Sequence, residues 1–86
     1  MSAIDDVITA LQSVIDELND ATNAASTAKT YADEAVAQAV ALGATATIAG
    51  LNAVKDSIDK LTQHVAASID VANDAIGHAK AVADGT

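Results

Sequence analysis

The side chains with chemical potential in this chain are two histidines and several small groups of acids. His64 and His78 stand two heptads apart on one helical flank. At roughly 21 Å along a helix axis they are too far apart to share a metal ion. Asp74 precedes His78 by one turn, a spacing that suits a surface ion pair or half of a metal site. No third ligand converges at that spacing, so the ion pair is the expectation. Asp16, Glu17 and Asp20 form an acidic patch, and Asp5–Asp6 and Asp33–Glu34 form acidic doublets. A di-metal helical bundle needs inward carboxylates with a Glu-x-x-His pair, which is absent, and these acids fall at outward positions. Solvation is their expected role, with Asp5 and Asp6 also suited to a helix N-terminus.

Nucleophilic chemistry fares no better. Serines and threonines are plentiful, but none has a base at a spacing that would activate it. Calcium-loop, phosphate-cradle and nucleophile-elbow patterns are missing. The sequence therefore offers no catalytic, cofactor-binding or metal-ligating residue, and a non-enzymatic protein is expected.

The elements that carry these residues follow from composition. Eighty-six residues make one small domain, taken as 1–86. Proline and Cys are absent and Gly occurs four times, which permits long helices and excludes disulfide staples. Alanine dominates, and Tyr31 is the single aromatic, so Ile, Leu and Val must supply the core volume. Twelve acids against four Lys give a formal charge of −8. That balance repels phosphate backbones, so no nucleic-acid partner is expected. The first 28 residues hold no basic residue, unlike a Sec signal peptide. A cytoplasmic location, or export by a signal-peptide-independent route, is expected. The uncharged run between Glu34 and Lys55 is long enough to span a bilayer but is mostly Ala with polar interruptions, so a membrane span is not expected.

An apolar row at alternating steps of four and three runs from Val7, Leu11, Val14 and Leu18 through successive alanines to Leu42. A second begins at Leu51, Val54, Ile58, Leu61 and Val65 and continues to Val82, with Ser68 its one polar member. Between them Gly43 suits a left-handed helix end, and Thr45 or Thr47 suits the cap of a following helix. Ser2 with Asp5 suits a capping box. The spacing predicts an all-α antiparallel two-helix hairpin, with helices at about 3–42 and 48–83. Closing it at residue 45 sets Leu11 beside Ala79, Leu18 beside Ala72, Ala28 beside Leu61 and Ala39 beside Leu51, large against small. One unbroken rod in a parallel coiled coil is the alternative, and Gly43 with Thr45 opposes it.

Beside those rows run Ile8, Ile15, Thr22, Lys29 and Val36 on the first helix and Ile48, Lys55, Thr62, Ile69 and Ile76 on the second. With the apolar rows in the seam, this flank is left uncovered. Burying four Ile side chains is worth roughly 6–12 kcal/mol before entropy is subtracted, and an exposed strip of that size marks an interaction surface. Ile8, Ile15, Val36, Ile48, Ile69 and Ile76 are thus the candidate interface, with Tyr31 a possible anchor. The expected partner is a protein, either a second copy forming a four-helix bundle or a different chain. A structural subunit stacking into larger bundles or filaments is the alternative.

An acidic helical hairpin of this length with a Leu42-Gly43 bend resembles the Trp-X-Gly hairpin proteins of type VII secretion. The resemblance covers the whole chain but is architectural. No Trp stands at the bend, and Tyr31 is followed four residues later by Ala35 and not by an acid. It implies homo- or heterodimers acting as secretion partners or adaptors, and no site residue carries over. The segment 41–58 is also similar to small Ala-rich actinobacterial proteins of unknown function.

Overall fold

The computed structural model describes residues 2–85. Two long helices, α1 (Ala3–Leu42) and α2 (Thr45–Gly85), fold back on each other as an antiparallel hairpin with Cα extents of 66 × 17 × 11 Å. The expected all-α hairpin is what forms. Ser2 and Gly85 lie at the open end and the bend closes the other.

Local chemistry sets the start of α1 and the bend. Ser2 Oγ accepts from the Asp5 amide at 3.2 Å, and an Asp5 carboxylate oxygen accepts from the Ser2 amide at 3.5 Å. This is the capping box expected from those residues. Gly43 sits at φ 67°, in the left-handed region where a β-carbon is strained. Its amide donates to the Val40 carbonyl at 3.1 Å and the Ala44 amide donates to Ala39 at 3.0 Å, satisfying two carbonyls of the last turn of α1. The bend is tighter than expected. α2 begins at Thr45 and not at residue 48, and Ala44, whose carbonyl accepts from the Ile48 amide at 3.0 Å, stands before it. Neither Thr45 nor Thr47 serves as the cap.

The seam differs from the expected one by a rotation of each helix of about 50°. One expected row remains inside. It comprises Leu11, Leu18, Ala25, Ala32 and Ala39 on α1 and Leu51, Ile58, Val65, Ala72 and Ala79 on α2, all buried or half-buried. Its large members on one helix lie at the end where the other helix has Ala, so the helices approach closely along their whole length. The row beside it changes. Ile8, Ile15, Thr22, Lys29 and Val36 turn inward on α1, and Ile48, Lys55, Thr62, Ile69 and Ile76 on α2. Ile76 is only 8% exposed, while Val14 is 43% and Leu61 53% exposed. The isoleucine ridge expected to stand uncovered is therefore a correction. Ile8, Ile15, Val36, Ile48, Ile69 and Ile76 pack within the hairpin, and the Val7–Val14 row faces outward.

The physical reason lies in side-chain size and in how the polar members are handled. Isoleucine removes more apolar area from water than Val or Ala at the same depth. Thr22 Oγ1 donates to the Leu18 carbonyl at 3.1 Å and Thr62 Oγ1 to Ile58 at 3.0 Å, so neither hydroxyl is stranded. Lys29 and Lys55 run their aliphatic stems along the seam and carry their ammonium groups out to carboxylates on the opposite helix. A row apolar on paper but for Ser68 thus loses to a bulkier row whose polar members find partners.

Those two ion pairs also set the register. Lys29–Asp59 and Lys55–Asp33 are each symmetric about residue 44. This brings Leu11 level with Gly77 and not with Ala79, so the size pairings expected from closure at residue 45 shift by about two residues, a little over half a helical turn.

Candidate interaction surface

Labelling Ile8 and Ile48 as heptad position a places the exposed apolar side chains. Val7, Val14, Leu42, Val54, Leu61 and Val82 all fall at g, and Tyr31 and Val71 at the adjoining position c. In an antiparallel pair the g rows of both helices lie on the same side. Among the described residues, eight of the nine large exposed apolar side chains therefore line one flank, Val40 being the exception. The intervening g positions are Ala21, Ala28, Ala35, Thr47, Ser68 and Ala75, so that row contains no charge from end to end.

Charge is segregated to the remaining surface. Of the twelve acids only Glu17 lies at g or c; the others occupy b, e and f. The e flank carries both crossed ion pairs, with Lys29 Nζ 2.7 Å from an Asp59 oxygen and Lys55 Nζ 2.6 Å from an Asp33 oxygen. The hydrogen bond and charge of Asp59 hold the Lys29 ammonium above its ordinary pKa of 10.5; partial desolvation opposes this and Asp33 adds to it. The hairpin is thus two-sided, with one polar, ion-paired flank and one aliphatic flank on which Glu17 is the single charged side chain.

Tyr31, the possible anchor, is 66% exposed and lies on the aliphatic side. The other residues singled out for chemistry do not converge. His64 and His78 are exposed at separate c positions, and Asp74 and His78 are not joined by an ion pair. Among the described residues no group of three or more His, Asp or Glu gathers as metal ligands, and no pocket forms. None of their helices is long and apolar enough to cross a membrane.

The signal that would have located this flank was present in the sequence. Lys-x-x-x-Asp occurs at 29–33 and again at 55–59, at heights that an antiparallel hairpin crosses. Reading both lysines as seam residues reaching over to the opposite Asp turns the Ile row inward and leaves the Val row outside.

Comparison with family models, curated proteins and solved structures gives no match. The hairpin architecture is compatible with the Trp-X-Gly resemblance, and no relative supports an affiliation with type VII secretion.

Proposed function

We propose that this chain is a non-enzymatic protein-interaction module, a helical hairpin that dimerises and docks on or escorts a partner protein. The observation that carries this reading is the apolar flank of Val7, Val14, Val54, Leu61, Val82 and Tyr31, with Glu17 its one charge, on an otherwise acidic rod. A two-helix hairpin has no third layer with which to cover such a strip, and exposed contiguous apolar surface of this kind marks interaction sites. The lack of a pocket or convergent polar group on the described surface supports binding over catalysis.

The test is the mass in solution of the wild type and of Val14→Asp/Leu61→Asp. Both side chains are exposed, so the double variant keeps its helicity by circular dichroism while losing association by light scattering. Unchanged mass for the variant, or a wild type that remains a monomer and captures no protein partner, overturns the reading. Growth of the wild type well beyond a dimer with concentration would favour the structural-subunit alternative.

A further inference from the structure

We infer that the polypeptide covering the aliphatic flank is a second copy of this chain laid antiparallel, the bend of each copy against the open end of the other. This rests on the reading of that flank as the surface through which the hairpin dimerises, and adds the direction in which the two copies lie.

Charge decides the direction. Taking the level of Ala21 and Ser68 as the middle, the open half of the hairpin holds eight acids against Lys80 alone. The bend half holds four acids against Lys29, Lys55 and Lys60. Two copies stacked bend to bend would press the two strongly acidic halves together. Two copies stacked bend to open end set each acidic half over a nearly neutral one, relieving repulsion that acts within a Debye length of about 8 Å. The g row itself is uncharged, and Glu17 at the adjoining position c is the one acid of that flank that joining the copies brings to the interface.

Size agrees with a twofold axis crossing the flank at Ala21 and Ser68, which stand level to within about one residue in the register about residue 44. On α1 that axis sets Val7 and Val14 of one copy against Ala35 and Ala28 of the other. On α2 it sets Leu61 against Ala75 and leaves Val54 against Val82 as the one pair with two large members. At the axis only Ala21 and Ser68 meet their own counterparts, and both are small. Because this level lies near mid-length, the copies overlap almost fully. Extents of 66 × 17 Å give a footprint of roughly 1,100 Å², above the roughly 800 Å² per partner of a standard stable interface.

Spin labels at the bend test the arrangement. The chain has no cysteine, so Thr45→Cys supplies a single attachment site on an exposed residue. The antiparallel dimer places its two labels at opposite ends of the bundle, about 60 Å apart by dipolar spectroscopy. A pair distance below about 30 Å means the bends lie together across neighbouring helices; it overturns this arrangement and leaves the interaction flank standing. A monomeric mass with no pair distance overturns self-association; capture of a different protein by the same flank would then leave only the broader reading.

Discussion

Lys29 Nζ donates to an Asp59 carboxylate oxygen at 2.7 Å across the seam, joining the middle of α1 to the first half of α2. Lys55 repeats the contact in the opposite direction, to Asp33. All four side chains keep a quarter to a half of their exposure, so the pairs contribute less to stability than to register.

Lys29 gives the hairpin an alkaline dependence of defined sign. Its ammonium is held above the ordinary value in the folded chain, chiefly by the hydrogen bond and charge of Asp59. The folded chain therefore holds this proton more tightly than the unfolded one. The contribution is fully present below the ordinary value of 10.5 and is lost as pH rises through the higher folded value. The melting temperature of wild type should fall more steeply than that of Lys29→Met above about pH 10. Parallel melting profiles for the two proteins across that window would refute the assignment.

The rotated seam separates adjacent residues by burial. Ile76 is inside and its truncation to Ala is expected to cost about 2–4 kcal/mol by urea unfolding. Val14→Ala, one residue before the inward Ile15, removes an outward side chain and should cost under about 1 kcal/mol in the monomer. Ile76→Asp should lower helicity outright, since it places an unpaired charge in the seam. If the Val14 and Ile76 truncations cost the same, the inward row has been misassigned.

Two glycines answer the same substitution with opposite signs. Gly77 lies inside α2 with nothing within 4 Å of where a β-carbon would stand. Gly77→Ala should therefore stabilise by about 0.5–1 kcal/mol, raising the melting temperature by a few degrees at fixed protein concentration. Gly43, equally uncrowded, holds a left-handed φ of 67°. Gly43→Ala should destabilise by about 1–2 kcal/mol. Thermal denaturation of both variants checks the pair, and a stabilised Gly43→Ala would mean that the bend is not built as described.

Two helices and the place of their turn are properties of the local chain. Ser2 with Asp5, Gly43, and the proline-free alanine runs act over a few residues each, and they specified α1, the bend and an antiparallel return. The row from Leu11 to Ala39, facing the row from Leu51 to Ala79, was equally legible, because those positions are apolar whichever neighbour joins them. Which neighbour does join is not a local matter. Val7 and Ile8 lie on either side of Leu11 around the helix, and heptad spacing admits both as seam partners of that row. The choice fell to the folded pair, where the larger isoleucines gained more by burial. Only there does each lysine among them find a carboxylate waiting on the other helix. With that choice went the identity of the exposed flank, since turning the Ile row inward leaves the uncharged Val row in water.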